Sequence, residues 1–205
     1  MGCPVRDVVK KGAGAGLIGN FELADEIINA VKKGAGKIPV SVKTRLGKNE
    51  NIATKWVAFL LEQDLAALTV HGRIAKQMSK GEVNWKEIGK IVKIRNRIGP
   101  ETVIIGNGDI KSYEEVGLMH KKYGVDGVMI GRGVFANPWV FDSTVVPHAK
   151  EDYIKLLTRH IEFFETTWGS TKNFAVIKKF LKMYVKDFKG ANTLRQRIMD
   201  AGRFE

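Results

Sequence analysis

The chain has 205 residues and a mass of 22.8 kDa, with 44% hydrophobic and 27% charged residues, which suits one or two water-soluble domains with a buried core. No segment approaches the roughly 18 consecutive apolar residues of a membrane helix, and the N-terminus lacks the apolar stretch of a signal peptide, so we expect a cytoplasmic protein without a membrane partner. The single cysteine, Cys3, excludes an internal disulfide, and no metal site is expected. The 34 Lys and Arg residues outnumber the 22 Asp and Glu residues, and the net charge of +12 favours a polyanionic partner.

Four short apolar segments rich in β-branched residues predict the strands of a parallel sheet. They are residues 38–42, 67–70, 102–105 and 127–130. Each is nearly continuous in hydrophobicity and too short for a helix, which is typical of strands buried on both faces. Segments of helical period lie between them, and Asn20 and Ser112 can cap two of these helices. The pattern predicts an α/β architecture of about four βα units.

The pattern changes after the fourth strand, and the rest of the chain predicts helices over residues 151–168, 174–189 and 192–198. We therefore expect an α/β domain over residues 1–145 and a small all-helical domain over residues 146–205. Residues 172–197 include eight Lys and Arg residues but only one acidic residue, Asp187. Such a segment favours contact with a phosphate backbone, although an amphipathic helix on a membrane surface is an alternative.

Each predicted strand is followed by polar or glycine-rich residues, and side chains at this position converge on one open face in repeated βα folds. The four endings are Lys43-Thr44-Arg45, His71-Gly72-Arg73, Gly106-Asn107-Gly108-Asp109 and Gly131-Arg132-Gly133. The glycines of the last two endings allow close approach of the backbone to a ligand, and together with Arg132 they suit a phosphate. Lys43 and His71 could contact a planar ring system such as a flavin, or serve as a Schiff-base lysine and a general base.

Cys3 lies in a Gly-Cys-Pro turn with no histidine or second cysteine beside it. A free thiol, with its ordinary pKa of about 8.5, is mostly protonated at neutral pH and is better suited to donate a proton than to attack. The alternative is a small buried apolar residue. The glycine-rich run over residues 11–16 predicts a close-packing turn rather than a phosphate loop.

The chain resembles the tRNA-dihydrouridine synthases over nearly its whole length. Five motifs in the family's order carry the resemblance: Met1-Gly2-Cys3-Pro4 with the following Val8–Ala15, Pro39–Gly47, Thr69–Arg73, Ile105–Ile110, and Asp126–Gly133 with Asn137-Pro138-Trp139. The basic tail is also similar to the helical RNA-binding domain of that family.

The resemblance implies an oxidoreductase that binds FMN on a TIM-type barrel and reduces the C5–C6 double bond of uridines in tRNA with NADPH. It implies that Cys3 gives a proton to C5 while FMN N5 delivers hydride to C6. The implied cofactor-binding residues are Lys43, His71, Asn107, Gly108, Asp109, Gly131 and Arg132. The implied substrate- and tRNA-binding residues are Arg45, Arg73, Lys178, Lys179, Lys182, Lys186, Arg195 and Arg197.

The chain is short for this fold, because a TIM barrel takes about 250 residues and eight strands. We expect an N-terminally truncated member that holds strands five to eight, the C-terminal half of the barrel, followed by the helical domain. A half barrel exposes sheet edges and its apolar interior, so weak FMN binding and self-association are expected. The alternatives are a catalytically inactive tRNA-binding fragment and another FMN-binding barrel oxidoreductase of dihydroorotate dehydrogenase type, which would need neither the basic tail nor Gly-Cys-Pro.

Overall fold

The computed structural model describes residues 1–144 and 146–201. The chain divides into two compact units, Met1–Arg132 and a second one that begins at Gly133. The division therefore lies before the predicted boundary after residue 145. The difference arises because a short helix at Gly133–Ala136 places Phe135 in a ring stack with Phe180 of the second unit, with 5.8 Å between centroids.

The first unit contains a parallel sheet with the strand order β1-β2-β3-β4. The strands are β1 Ser41–Arg45, β2 Ala67–His71, β3 Val103–Asn107 and β4 Gly127–Met129. The predicted α/β class with four parallel strands is confirmed. The first strand was wrongly placed at residues 38–42, because Lys43, Thr44 and Arg45 continue the pairing with β2 although they are not apolar.

The helices of the first unit precede β1 or connect successive strands, and the connecting helices cover one face of the sheet. They are α1 Arg6–Lys10, α2 Phe21–Ala35, α3 Ala53–Leu61, α4 Trp85–Ile98 and α5 Tyr113–Tyr123, with 3₁₀-helices at Gly14–Leu17 and Ala75–Gln77. Both predicted N-caps are confirmed: the side chain of Asn20 accepts the Leu23 N–H at 3.3 Å, and that of Ser112 accepts the Glu115 N–H at 3.2 Å. These caps satisfy backbone donors that the first helical turn leaves unpaired.

The core lies between the sheet and these helices. Because successive strand residues point to opposite faces, Val42, Leu68 and Ile104 face the helices and are buried. Trp56 of α3 is fully buried there, and its indole N–H donates to Thr44 Oγ1 at 2.9 Å. The opposite face carries the polar side chains Lys43, His71 and Asn107.

The second unit is helical. Its helices are α6 Gly133–Ala136, α7 Lys150–Trp168, α8 Ala175–Lys178, α9 Leu181–Tyr184 and α10 Ala191–Asp200. The predicted helix over residues 151–168 is confirmed, whereas the single helix over residues 174–189 is wrong. The Phe180 N–H bonds to the Ile177 carbonyl and the Met183 N–H to that of Phe180, and these three-residue spacings split the segment into α8 and α9. In the described part of the chain, no helix has both the length and the apolar character needed to cross a membrane.

Two glycine substitutions test the packing of the first unit. An added Cβ at Gly106 of β3 would lie 2.4 Å from the Trp85 ring, so Gly106→Ala should lower the free energy of unfolding by about 1–3 kcal/mol. At Gly117 in α5 a Cβ meets no described group within 4 Å, so Gly117→Ala should raise that free energy by about 0.5–1 kcal/mol through helix propensity. Urea denaturation measures both values, and equal effects of the two substitutions would contradict this packing.

Candidate functional site

The pairing of the strands gathers polar side chains on the face of the sheet away from the helices. Arg45 of β1 pairs with His71 of β2, which pairs with Asn107 of β3. Lys43 lies two residues before Arg45 and therefore on the same face. Its ammonium donates across β2 to Asn107 Oδ1 at 3.3 Å, and Asn107 Nδ2 donates to the Met129 carbonyl at 2.8 Å. Side-chain hydrogen bonds thus connect β1, β3 and β4 on this face.

Asp109 joins two arginines at the end of β3. Its carboxylate accepts from Arg73 Nη1 at 3.1 Å and from Arg132 Nη2 at 2.7 Å, and it makes a second contact with Arg73. The hydrogen bond from Arg73 holds the pKa of Asp109 below its ordinary value, with Arg132 adding to the effect. Asp109 is therefore ionised at neutral pH and orients the exposed Arg132 side chain.

Arg73 is almost fully buried, with 2% of its surface exposed. Besides Asp109, its guanidinium donates to the Gly81 carbonyl at 3.0 Å and lies 3.4 Å from Nε2 of His71. The arginine therefore links the loops that follow β2 and β3. This set of contacts favours a structural role for Arg73 over direct contact with the substrate.

Arg45 holds two further segments together. Its guanidinium donates to the Gly2 carbonyl at 2.9 Å and to the Met78 carbonyl at 2.8 Å, with a longer contact to the Ile74 carbonyl at 3.4 Å. Arg45 is 7% exposed, so most of its surface is in contact with protein. The structure favours a bracing role over the predicted contact with substrate, because this side chain fixes the segment that carries Cys3.

Cys3 is exposed and lies next to the end of β1. The Met1 amine donates to the Lys43 carbonyl at 2.9 Å, and the Ala15 N–H donates to the Cys3 carbonyl at 2.9 Å. Gly14 has φ +57°, and a Cβ there would lie 2.8 Å from the Cys3 carbonyl oxygen. The glycine run is therefore a close-packing turn, as predicted, and it supports the segment with the thiol.

The electrostatics of the site keep His71 neutral. Burial lowers the pKa of His71 to about 4, and Arg45, Lys43 and Arg73 add to the effect while Asp109 opposes it. Burial, and then the charge of Arg45, also lowers the pKa of Lys43. The site therefore combines a neutral imidazole with an excess of cations, which favours an anionic ligand.

A phosphorylated, electron-rich cofactor fits these residues. Lys43, Arg45, Arg73 and Arg132 supply four cations against the single carboxylate of Asp109. A Cβ at Gly131 would meet no described group within 4 Å, so the backbone beside Arg132 is open to a ligand. Among the described residues, no three His, Cys, Asp or Glu side chains are grouped as metal ligands.

Packing within the fold, rather than access for a ligand, requires a glycine at position 108. Its φ is +142°, and a Cβ would lie 2.5 Å from the Val83 side chain, so packing within the fold excludes a larger residue. Its carbonyl accepts the indole N–H of Trp85 at 3.1 Å. Trp85 is one of the apolar residues at the start of α4, and an indole donor in the sequence near a glycine loop is a signal for such a positioning contact.

The six basic residues of the second unit that were predicted to bind tRNA fall into two groups. Lys178, Lys186 and Arg195 are half-buried and donate to backbone carbonyls within the unit, for example Lys178 Nζ to the Met199 carbonyl at 2.7 Å. The side chains of Lys179, Lys182 and Arg197 are exposed. The structure therefore leaves the second group as the stronger candidates for contact with a polyanion.

Comparison with known proteins gives consistent matches. The family model described as Dihydrouridine synthase (Dus) matches residues 1–203. A protein named "Probable tRNA-dihydrouridine synthase" from Staphylococcus aureus (strain N315) is 42% identical over 202 residues, which are 98% of this chain and 61% of that protein. "Probable tRNA-dihydrouridine synthase 2" from Bacillus subtilis (strain 168) is 38% identical over 202 residues, 98% of this chain and 62% of that protein. The chain thus spans less than two thirds of the length of these relatives.

Titration of His71 tests the electrostatics of the site. Its imidazole should stay neutral at pH 7 and take up a proton near pH 4, because its pKa is lowered to about 4. Lys43→Met removes a nearby cation and should raise the pKa of His71. Lys55→Met, at an exposed lysine of α3, is the control and should leave it unchanged. NMR of the imidazole carbon-bound protons measures these values, and a wild-type pKa of 6.5 or higher would contradict the arrangement.

The same shift has a consequence for stability. The pKa of His71 is lower in the folded chain than the ordinary value of 6.5, so the unfolded chain takes up this proton at higher pH. The contribution of neutral His71 to stability is therefore complete above pH 6.5 and is lost as the pH falls toward 4. His71→Gln should flatten the decline of unfolding free energy over this range in urea titrations.

Proposed function

The chain belongs to the dihydrouridine synthase family, and we propose that it reduces uridine in tRNA to 5,6-dihydrouridine. One observation carries the proposal: the segment with the exposed thiol of Cys3 is hydrogen-bonded, through Met1 and Gly2, to the same strand end that supplies the cationic face of the sheet. Reduction of a carbon–carbon double bond needs a hydride source and a proton donor. The cationic face suits the cofactor that would supply hydride, and the thiol suits the donor.

The proposed cofactor is FMN, with NADPH as its reductant. Lys43 and His71 would contact the flavin ring, and Asn107, Gly108, Asp109, Gly131 and Arg132 would form the ribityl-phosphate site. There the ionised Asp109 would orient Arg132 rather than contact the phosphate itself. When bound, FMN supplies the hydride that adds to C6 of the uracil ring. The excess of cations over the single Asp109 carboxylate and the open backbone at Gly131 support this assignment.

The residues of the chain supply the remaining chemistry. The Cys3 thiol gives its proton to C5, so the C5–C6 π pair is replaced by one C–H bond at each carbon, and solvent returns a proton to the sulfur. Lys43 offers a cationic donor at the flavin ring. His71, neutral at pH 7 because of its lowered pKa, can donate one hydrogen bond and accept another.

We propose that the four strands are consecutive strands of an eight-stranded TIM barrel, its strands five to eight. The parallel sheet has its helices on one face, and its other face carries exposed Ser41, Lys43 and Val103, which would point into a barrel. The chain also spans only 61% of the length of relatives it matches. Weak FMN binding by this chain and self-association of half barrels follow from an unclosed sheet.

The helical part of the chain, residues 146–205 in this proposal, binds the tRNA backbone. Lys179, Lys182 and Arg197 are exposed and support phosphate contacts, whereas Lys178, Lys186 and Arg195 donate to carbonyls of their own unit. Phosphate contacts of this kind position an RNA without reading its sequence.

Cys3→Ala tests the proton donor. The variant should form dihydrouridine at least about 100-fold more slowly than the wild type, because a positioned general acid contributes about that much or more. The assay incubates an unmodified tRNA transcript with the chain, FMN and NADPH, and detects dihydrouridine by mass spectrometry. FMN binding, followed by flavin fluorescence, should be unchanged.

Val5→Ala is the matched control, since Val5 is an exposed side chain two residues from Cys3. Unaltered activity of Cys3→Ala would refute the assigned role of the thiol. A wild-type chain that binds tRNA but forms no dihydrouridine would instead identify a tRNA-binding fragment without activity.

Two triple variants test the basic residues of the second unit at equal change of charge. Lys179→Ala, Lys182→Ala and Arg197→Ala together should weaken tRNA binding and reduce its salt dependence, because they remove exposed cations. Lys178→Ala, Lys186→Ala and Arg195→Ala together should mainly lower the melting temperature, because they remove donors to backbone carbonyls. Fluorescence anisotropy and calorimetry separate these outcomes, and equal loss of binding in both variants would contradict the division.

A further inference from the structure

A cleft of about 430 Å³ lies in the first unit, beside the Cys3 segment. Arg6 and Lys10 of α1 line one part of it, Lys48 lies in the loop after β1, and Lys76 lies in the loop after β2. The three segments all follow Cys3 or the end of a strand, so the cleft opens at the same end of the sheet as Lys43 and His71. Neither the strand endings nor the basic tail indicated these four residues.

The contacts between the segments hold the cleft in place. The Lys76 N–H donates to the Lys48 carbonyl at 3.0 Å, which joins the loops after β1 and β2. Arg45 donates to the carbonyls of Gly2 and Met78, which joins the Cys3 segment to the loop after β2. The backbone that carries the cations is thus held in place by hydrogen bonds, so binding of a ligand costs less conformational entropy.

The chemistry of the lining favours a ligand that carries phosphates. Four cationic side chains and no carboxylate are among the lining residues, and none of these cations forms an ion pair within the described residues. Pro4, Val9 and Met78 add apolar surface, and Met78 is 45% exposed. Cations beside apolar surface match a nucleotide, which has an anionic phosphate joined through its ribose to a base with apolar faces.

We propose that this cleft binds the phosphate backbone of the RNA strand next to the uridine that reaches Cys3. The proposal rests on the proposed function. A uridine at the thiol brings its flanking phosphates with it, and Pro4 and Arg6 of the lining follow Cys3 directly in the chain. The cleft is a second RNA-contacting surface, separate from the basic residues of the helical unit.

A triple variant of the full chain tests the cleft. Lys10→Ala, Lys48→Ala and Lys76→Ala together should weaken binding of an unmodified tRNA transcript at least about tenfold. The slope of log affinity against log salt should become less steep by about 2, since each lost single-strand phosphate contact removes about 0.7. The matched control carries Lys55→Ala, Lys93→Ala and Lys121→Ala, three exposed lysines on helices α3, α4 and α5 outside the cleft. The control should keep the wild-type affinity and slope.

The outcomes separate this proposal from the function on which it rests. Equal affinities of the cleft variant and the control would overturn the cleft assignment, even where the wild type binds tRNA and forms dihydrouridine. Loss of NADPH binding with tRNA binding retained would overturn it in favour of a reductant site. Absence of dihydrouridine from a wild type whose tRNA binding depends on the cleft would overturn the proposed reaction and support the cleft. Equal melting temperatures of both triple variants establish that the comparison reports binding.

Discussion

Parallel pairing sets Arg45, His71 and Asn107 side by side on three adjacent strands, and the rest of the site depends on this register. A shift of one residue in any strand would turn its functional side chains toward the buried core between the sheet and the helices. The register is specified by the opposite face, where Val42, Leu68 and Ile104 must be buried. The same hydrophobic pattern that stabilises the sheet thereby determines which polar groups meet.

The polar face of the sheet places several cations close together, which costs free energy through repulsion between like charges. Hydrogen bonds to backbone carbonyls and to one carboxylate offset this cost. Arg45 donates to carbonyls of Gly2 and Met78, and Arg73 donates to that of Gly81 and to Asp109. Removing a buried charge's partner leaves it unsatisfied, so these contacts are a stringent constraint on the loops that supply them. The arginines therefore have two effects: they fix the loops, and their charges add to the burial that lowers the pKa of His71 and keeps it neutral.

Much of this architecture was predictable from the sequence, because strands, helices and caps depend on local patterns. The extension of β1 through Lys43, Thr44 and Arg45 was not, since polar residues at a strand end do not differ from loop residues in hydrophobicity. The roles of Arg45 and Arg73 were also not predictable, because most of their acceptors are backbone carbonyls, which any residue provides. An arginine after a strand is as compatible with binding a phosphate ligand as with hydrogen-bonding to neighbouring loops.

The basic helical segment shows a related limit of charge counting. A formal net charge of +12 counts every lysine and arginine equally, whatever its surroundings. In the second unit, Lys178 donates to carbonyls near the end of α10, where the helix dipole is negative and orphan carbonyls need donors. Lys186 and Arg195 likewise donate to carbonyls of that unit, at Ala136 and Val185. A side chain held in this way must break a hydrogen bond before it can neutralise a phosphate. The charge available to a polyanion is therefore set by which cations lack such a carbonyl, and only the folded chain determines that.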